Sequence, residues 1–333
     1  MTVQLHNDPG ELTADALRGY ALDHSSKVKV HFDPTFVERS QPAAAGAVAI
    51  VSGGGSGHEP LHLGFVGEGM LDAAVPGKVF ASPTASQVGA AIRSVDRGAG
   101  VLLIVKNYTG DILNFGLAAE DARDDGIPVE IVRVADDLAS ERTDGEGPGR
   151  RGTAGTVIVE KLCGAAARRG DGLAELAALG SSLSDRTRSL AVAFRSATLP
   201  GHAEPSFQLP DSSVEFGVGI HGERGSTRPF DGSGADLVES LVGPLVEALA
   251  LAEGSEVIAV VNGLGGTPGL QLGAARYYLE QSLGSRGVGV ARALTGSYVT
   301  ALNMQGISIT LLRVEDGDLE LWDAPVNTVA LSW

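Results

Sequence analysis

The sequence predicts an α/β protein of two domains, in which mainly parallel or mixed sheets are covered by helices. Apolar runs of strand length alternate along the chain with amphipathic stretches of helix length. The apolar runs are almost continuous, which is typical of strands that are buried on both faces of a sheet. The chain has 333 residues, of which 43% are hydrophobic, and this length supports one large or two medium domains.

The first predicted domain covers residues 1–188. Its strands are predicted where apolar runs are bounded by turn residues, at 28–32, 46–54, 77–81, 100–111 and 127–139. Its helices are predicted where apolar residues recur at helical spacing, at 11–24, 84–95, 112–126, 153–170 and 172–190. Ser82, Pro83 and Thr84 fit the start of the second of these helices, with a proline in the first turn and hydroxyls beside it. Residues 140–152 are predicted to be a flexible loop.

The second predicted domain covers residues 189–333. The boundary is placed there because prolines and polar residues become frequent soon afterwards, near residues 197–213. A strand pattern in 213–225 ends in a glycine-rich loop, and an amphipathic helix is predicted at 234–251. A unit of strand, glycine loop and helix follows at 256–287, and the segments 288–300, 306–314 and 319–328 complete the domain.

The composition excludes several classes of function. The formal net charge of -16, from 41 acidic and 25 basic residues, argues against non-specific binding to nucleic acid or to anionic membranes. Cys163 is the single cysteine, so the chain has no intrachain disulfide and no multi-cysteine metal site; its apolar neighbours predict a buried side chain. The N-terminus lacks a signal-peptide pattern and no apolar run is long enough to span a membrane, so a cytoplasmic protein is expected.

The segment SGGGSGHEP, residues 52–60, follows a buried strand pattern and raises the possibility of an anion site. A P-loop needs a lysine and a hydroxyl residue after its glycines, where this chain has His58 and Glu59. The Rossmann spacing is met only because glycine is dense here, and its acidic residue is not clearly placed, although Asp72 lies in range. The alternative is that the glycines let a small polar substrate lie against the backbone, within reach of His58.

Polar side chains follow three other apolar strands. They are Ser82 in FASPT, Lys106 and Asp111 in KNYTGD, and His221 in GIHGERG. Ligands of open α/β sheets bind outside the carboxyl ends of strands. Because three of these four loops lie in the first domain and the fourth in the second, the site is expected between the domains or at a shared face.

Five motifs of this chain together resemble the substrate-binding K subunit of dihydroxyacetone kinases. They are VSGGGSGHEP, LLIVKNYTGDILNF, RRGTAGTVIVEKLCGAAA, EFGVGIHGERG and LWDAPV. The resemblance runs from one end of the chain to the other, and the motifs are long and unusual.

The resemblance implies a role for each of the polar residues. His221 matches the histidine that adds to the ketone carbonyl of dihydroxyacetone and forms a hemiaminal, and neutral imidazole is a competent nucleophile for that step. Asp111 matches the carboxylate that accepts the hydroxyl proton during phosphoryl transfer, and His58 would assist the addition as acid or base. The implied substrate contacts are Gly55, Ser56, Gly57, Ser82 and Lys106. Ser82 could instead be a helix cap.

The resemblance also implies an incomplete enzyme. No Walker motif or metal site is visible in the sequence, and the family carries ATP or ADP with Mg²⁺ on a separate helical L domain or subunit. A homodimer is expected from the family alone. Three residues depart from the family pattern, Arg224, Gly269 and Gln271, so a C4 ketose such as erythrulose is an alternative substrate. A regulatory ketose sensor without catalysis is a second alternative, which the presence of both Asp111 and His221 disfavours.

Overall fold

The computed structural model describes residues 4–141 and 149–333, so most of the loop predicted at 140–152 lies outside the described residues. The described chain divides into two compact units, each containing a six-stranded sheet. The first unit comprises residues 4–134, 156–182 and 320–333, and the second comprises 135–141, 149–155 and 183–319. No helix in these residues is both long and apolar enough to cross a membrane.

The sheet of the first unit is mixed. Its strands are β1 (Val28–Phe32), β2 (Thr35–Arg39), β3 (Ala49–Ser56), β4 (Ala73–Val79), β5 (Val101–Lys106) and β6 (Val129–Val134). They lie in the order β1-β2-β4-β3-β5-β6. The four strands β4, β3, β5 and β6 run parallel, and β2 joins β4 and β1 in antiparallel pairs. Every residue of β3 and β5 is buried, which agrees with the continuous apolar runs of the sequence.

Five helices accompany these strands in the chain. They are α1 (Leu12–His24), α2 (Ala85–Val95), α3 (Thr109–Asp124), α4 (Gly155–Arg169) and α5 (Leu173–Asp185), with short 3-10 helices at Leu63–Phe65 and Leu138–Ser140. The buried apolar faces of α2 and α3 pack with β3, β4 and β5 into one core, in which Phe115 and Ile92 are fully buried. Each such side chain contributes roughly 1.5–3 kcal/mol to folding. Cys163 on α4 is also fully buried, as predicted.

Helix α2 begins with a capping box. The Thr84 hydroxyl accepts a hydrogen bond from the backbone N–H of Gln87, and the Gln87 side chain accepts one from the backbone N–H of Thr84. Thr84 is therefore the cap of α2, and the alternative interpretation of Ser82 as a helix cap is wrong for this helix.

The sheet of the second unit is largely antiparallel. Its strands are β7 (Thr187–Arg195), β8 (Ser213–Phe216), β9 (Ser226–Pro229), β10 (Glu256–Gly263), β11 (Gly289–Gly296) and β12 (Gln305–Arg313). They lie in the order β11-β10-β12-β7-β8-β9, and β10 with β11 is a parallel pair. Helices α6 (Gly234–Ala248) and α7 (Gly269–Gly284) pack their apolar faces on this sheet, and α8 (Asp318–Asp323) follows β12.

Several predicted elements differ from the structure in their bounds or in kind. The helix predicted at 172–190 ends at Asp185, and β7 begins at Thr187. The last residues of the predicted helix therefore lie in a strand. The strand predicted at 77–81 is β4, at Ala73–Val79, where Pro76 interrupts the apolar pattern and the register with β3 shifts. Strands β2 and β9 were not predicted, and all four residues of β9 are exposed, so it has no apolar pattern.

The division into units differs from a single boundary between residues 188 and 189, which falls inside β7. Residues 135–141 and 149–155 join the second unit because Asp136 accepts hydrogen bonds from the N–H and hydroxyl of Thr153, from the N–H of Gly155 and from the hydroxyl of Ser189. Residues 320–333 join the first unit, where the Lys161 ammonium donates to the carbonyl of Leu321 at 2.7 Å. Each unit is thus built from segments that are distant in sequence.

Candidate active site

The predicted site residues of the first unit converge at one edge of its sheet. Strands β4, β3 and β5 are parallel neighbours, so their carboxyl ends meet at this edge. Gly55 and Ser56 end β3, Gly57 and His58 follow it, Ser82 follows β4, Lys106 ends β5, and Asp111 lies in the first turn of α3. The sequence prediction that these loops meet is confirmed for the first unit.

Lys106 is the centre of this edge. Its side chain is fully buried, and its ammonium lies 3.2 Å from the carbonyl oxygen of Gly53 and 4.0 Å from the Asp111 carboxylate. A Cβ atom on Gly54 would lie 2.3 Å from the Lys106 nitrogen, so glycine is required at that position for the lysine to occupy its place. Burial lowers the pKa of Lys106, and the charges of Asp111 and Glu160 oppose that effect.

Asp111 is held at the N-terminus of α3, where backbone N–H groups and the helix dipole favour a carboxylate. The side chain is 6% exposed. Ser82 borders the same turn, because a Cβ atom on Gly110 would lie 3.3 Å from the Ser82 Cβ. The Ser82 hydroxyl donates to the Pro83 carbonyl at 3.3 Å, so it is near the carboxylate turn without capping a helix.

His58 and the residues before it form a buried turn. The His58 ring is fully buried and stacks on Phe80, with ring centroids 5.1 Å apart. Gly57 has a φ of 102°, a conformation that favours glycine, and its N–H donates to the Glu59 carboxylate at 3.0 Å. The Ser56 hydroxyl donates to the carbonyl of Gly77 at 2.7 Å, so this hydroxyl ties β3 to β4.

Two residues that the sequence did not single out lie behind Lys106. The His62 Nε2 is 2.6 Å from the Lys106 nitrogen, and the His62 Nδ1 is 2.6 Å from the Glu160 carboxylate and 3.0 Å from the Ser52 hydroxyl. His62 is 5% exposed and Glu160 is fully buried. His62 could have been predicted as a site residue, because it lies four residues after His58. Glu160 lies in a mostly apolar segment of α4, and that pattern predicts only a buried helix.

The pKa values of these two groups are shifted in opposite directions by burial. Burial lowers the pKa of His62 well below its usual value, and the charges of Lys106 and His58 lower it further, so the ring is neutral. Burial raises the pKa of Glu160 to about 8, although the Ser52 hydroxyl and the Lys106 charge act in the other direction. A proton can therefore reside on Glu160 near neutral pH.

His221 lies in the second unit, in the loop after β8. Its side chain is 20% exposed, its Nδ1 is 3.3 Å from one oxygen of the Glu223 carboxylate, and its backbone N–H donates to the other oxygen at 2.9 Å. Burial alone would raise the pKa of Glu223, but the hydrogen bond and charge of His221, together with Arg151, lower it to about 2. Glu223 therefore stays ionised and orients the His221 ring.

Arg151 fixes the backbone of this loop. Its guanidinium donates to the Asp137 carboxylate at 2.6 Å and to the carbonyl of Gly217 at 3.0 Å, and it lies 4.0 Å from Glu223. Burial raises the pKa of Asp137 to about 6, with Arg151 opposing the shift. His221 was predicted from the sequence, but Glu223 and Arg151 were not. Glu223 could have been predicted, because it lies two residues after His221 in the same motif.

The three residues that depart from the family pattern have different surroundings in the structure. Arg224 lies over the Phe207 ring and makes a bidentate ion pair with Glu215, with both distances 3.1 Å. Gly269 has open space where a Cβ would lie. Gln271 lines a cavity of about 340 Å³ in the second unit, between α6, α7 and the sheet, and the predicted site residues are not part of its lining.

The glycine segment is not a nucleotide loop in this structure. Gly53, Gly54 and Gly55 are residues of β3, and a 3-10 helix rather than an α-helix follows them. The Asp72 carboxylate, considered above for a ribose, accepts a hydrogen bond from the N–H of Ile50 and pairs with Arg39. Neither feature of a dinucleotide site is met.

Comparison with known proteins identifies what the chain is similar to. Residues 18–330 match the family model of the Dak1 domain. The chain is 43% identical over 354 residues to the PEP-dependent dihydroxyacetone kinase, dihydroxyacetone-binding subunit DhaK, of Escherichia coli K12, with 99% of each chain covered.

Two solved structures are similar as well. One is the dihydroxyacetone kinase of C. freundii in complex with AMP-PNP and Mg²⁺, with a TM-score of 0.91 and 37% identity over 100% of this chain and 61% of that one. The other is the dihydroxyacetone kinase operon co-activator Dha-DhaQ, with a TM-score of 0.89 and 34% identity over 95% and 97%. The predicted fold of two α/β domains is thereby confirmed.

Proposed function

This chain belongs to the Dak1 domain family, and we propose that it is the substrate-binding subunit of a dihydroxyacetone kinase that holds its ketose covalently on His221. The observation that carries the proposal is the buried pair of Lys106 and Asp111, 4.0 Å apart at the carboxyl edge of the first sheet. A buried carboxylate beside a buried ammonium can accept a proton from an alcohol while the ammonium binds a substrate oxygen.

The proposed covalent step follows from the orientation of His221. With Nδ1–H directed at the Glu223 carboxylate, the lone pair of Nε2 is available to attack the ketone carbon. The new N–C bond makes the ring cationic, and the ionised Glu223 carboxylate beside Nδ1–H stabilises that charge. The carbonyl oxygen becomes a hydroxyl by accepting a proton, which His58 would supply. Glycerol has no carbonyl and is rejected by this chemistry.

The proposed phosphorylation step uses Asp111. Its carboxylate accepts the proton of the terminal hydroxyl as that oxygen attacks the γ-phosphorus of a donor. Lys106 binds a substrate oxygen, and Gly55, Ser56, Gly57 and Ser82 complete the contacts at the same edge of the sheet.

The phosphate donor belongs to a partner in this proposal. The glycine segment lies in β3 and does not offer a nucleotide loop, so ATP, or ADP that is rephosphorylated in place, would bind with Mg²⁺ to a helical L subunit. The E. coli relative is named as PEP-dependent, which favours the rephosphorylated ADP. The proposal also includes a homodimer of this chain.

A second candidate function is regulatory, because the operon co-activator resembles this chain over nearly its full length. A sensor needs the covalent histidine but no proton acceptor for phosphoryl transfer. Asp111 is present and buried beside Lys106, which favours catalysis.

The experiment that tests the proposal is a phosphorylation assay over C3 and C4 ketoses. Dihydroxyacetone, erythrulose and glycerol are each mixed with this chain and a donor, with a candidate L subunit added or omitted. Phosphorylation of a ketose that needs the L subunit supports the proposal. Phosphorylation without the partner, or of glycerol, would contradict it. Ketose binding without phosphorylation under every condition would favour the regulatory function.

A further inference from the structure

The side chains behind Lys106 form a continuous hydrogen-bonded line of three ionisable groups. The line runs from the Lys106 nitrogen to His62 Nε2, and from His62 Nδ1 to Glu160, with both distances 2.6 Å. All three side chains are buried and all belong to the first unit. From the geometry we propose that His62 and Glu160 form a proton relay, which removes the ammonium proton of Lys106 when Asp111 becomes neutral during catalysis.

The donors and acceptors of this line allow two arrangements. If Lys106 is an ammonium it must donate to His62 Nε2, so His62 carries its proton on Nδ1 and donates to an ionised Glu160. If Glu160 carries the proton on the oxygen facing His62, the ring must carry its own proton on Nε2. Lys106 is then a neutral amine and accepts a hydrogen bond from Nε2–H. The net charge of the three groups is zero in both arrangements.

The exchange between the arrangements is a balanced transfer of two protons. The Nζ–H bond of Lys106 breaks as the Nε2–H bond of His62 forms, and the Nδ1–H bond breaks as an O–H bond forms on Glu160. The ring is neutral before and after the transfer. Burial shifts the pKa of Lys106 downward and that of Glu160 upward, so both shifts make the neutral arrangement more accessible.

A second observation supports proton occupancy of Glu160. Among the described residues, its other oxygen is buried and has no hydrogen-bond partner. An ionised carboxylate with a buried, unpaired oxygen is unfavourable, whereas a protonated carboxyl places less charge on that atom. Glu160 therefore suits the role of an intermittent proton store.

The charge of Asp111 determines which of the two proton arrangements is more stable. While it is ionised, its charge 4.0 Å away stabilises the Lys106 ammonium. When it accepts the substrate proton, that stabilisation disappears, and an isolated buried ammonium would be unfavourable. The relay then neutralises the lysine. The other titratable groups facing the line are His58 and, beside Glu160, the thiol of Cys163, whose pKa burial raises to about 12.

The inference depends on the proposed function for its catalytic meaning, but its central test needs no activity. Asp111→Asn imitates the neutral carboxyl, so the relay predicts that this variant carries a protonated Glu160 and a His62 ring protonated on Nε2. Infrared spectroscopy would detect the carboxylic acid band, and ¹⁵N NMR of histidine-labelled protein would detect the tautomer. Both signals should be stronger in Asp111→Asn than in wild type at the same pH, and the added infrared intensity must be absent from Asp111→Asn/Glu160→Gln.

The relay is overturned if neither signal is stronger in Asp111→Asn than in wild type while the fold, judged by the amide spectrum, is unchanged. A companion assay in the complete kinase uses Glu160→Gln, which retains the acceptor oxygen for His62 but cannot take a proton. We expect kcat to fall by about tenfold or more, with KM changed by less than about twofold. Asp72→Asn, another buried carboxylate of this unit, is the matched control and should retain its kcat.

A purely structural role for Glu160 would leave kcat and its pH profile unchanged in Glu160→Gln, and that result would also contradict the relay. If wild type fails to bind dihydroxyacetone, the proposed function fails, but the spectroscopic result for Asp111→Asn still decides the relay. The two inferences can therefore fail separately.

Discussion

At the scale of single residues, the chemistry assigned to His221 depends on its neighbour Glu223. The carboxylate accepts a hydrogen bond from the backbone N–H of His221 and lies 3.3 Å from its Nδ1, so it orients the ring in two ways. Such a pair directs the other ring nitrogen toward a ligand and supports a positive charge on the ring. The role of Glu223 can be tested by substitution, because its side chain is not part of the protein core.

Replacement of Glu223 by glutamine should weaken covalent ketose binding. Glu223→Gln keeps an acceptor oxygen but loses the charge that stabilises the cationic adduct, and hydrogen bonds to charged groups contribute about 1.5–3 kcal/mol. Because the contact is long, we expect the dissociation constant of dihydroxyacetone to rise by about tenfold. Isothermal titration measures it, and Glu239→Gln on α6 is a control that should bind as wild type does. Unchanged affinity in Glu223→Gln would contradict the assigned role.

The same carboxylate predicts a pH dependence of stability. The pKa of Glu223 is about 2 in the folded protein against a usual value of 4.5, so its ionised form stabilises the fold above pH 4.5. That contribution is lost as the pH falls from 4.5 toward 2. Urea unfolding at several pH values should therefore show wild type losing stability relative to Glu223→Gln below pH 4.5. The difference should be modest, since a third of the side chain is exposed, and a constant difference would refute the assignment.

The sequence identified the residues that a ligand would touch more readily than the residues that support them. His58, Lys106 and Asp111 follow apolar strands, and the parallel sheet rule places their loops together. Glu160 lies 54 positions after Lys106 in the sequence, in a helix whose buried residues are mostly apolar core. Only the packing of α4 brings that carboxylate to His62, and no local pattern encodes it.

At the scale of secondary-structure elements, neighbouring parts of the chain lie unusually close to the glycines of β3. Its glycines leave room for neighbouring chain: a Cβ on Gly53 would lie 2.4 Å from the Val75 oxygen, and one on Gly55 would lie 2.6 Å from the Ala81 nitrogen. The strand predicted at 46–54 continues to Ser56, so all three glycines lie within β3, where any side chain would collide with neighbouring atoms.

Substitution of Gly54 tests this explanation. The new Cβ of Gly54→Ala would lie 2.3 Å from the Lys106 nitrogen, so the lysine must move, and ketose binding should fall by about tenfold or more. Gly116→Ala on α3 is the matched control, because its Cβ meets no atom within 4 Å. That change should raise the free energy of unfolding by about 0.5–1 kcal/mol and leave binding unchanged. Normal binding by Gly54→Ala would show that Lys106 is not held as described.

The elements that were not predicted lack the patterns on which prediction depends. The four residues of β9 are all exposed, so they show no alternation of apolar and polar side chains. Strand β7 begins two residues after α5 ends, and apolar residues continue across the change. Long-range pairing with β12 and β8 determines that Thr187–Arg195 is a strand, and this pairing is not visible in the local sequence.

At the scale of the whole molecule, each unit is assembled from segments that are distant in the chain. The carboxylate of Asp136 connects Thr153, Gly155 and Ser189 in the second unit. A composition change near residues 197–213 suggested one boundary, but hydrogen bonds of this kind decide which segments belong together. A single domain boundary in the sequence therefore does not separate the two units.

Removal of the Asp136 carboxylate should destabilise the protein strongly. Asp136→Ala leaves several buried donors without an acceptor, and each such group costs about 1–3 kcal/mol, so we expect a loss of about 3 kcal/mol or more in the free energy of unfolding. Asp231→Ala, at an exposed position of the same unit, should change it by less than about 0.5 kcal/mol. Urea denaturation compares the two variants, and equal stabilities would contradict the structural role.

The central claim is that His221 makes a reversible covalent bond to a ketone, and ¹³C NMR of this chain with dihydroxyacetone labelled at the carbonyl carbon tests it most directly. We predict that the bound label moves from the ketone region to the region of a saturated carbon bearing oxygen and nitrogen, and that this signal is absent from His221→Ala. A bound ketose whose label stays in the ketone region, or an adduct that persists in His221→Ala, would contradict the account.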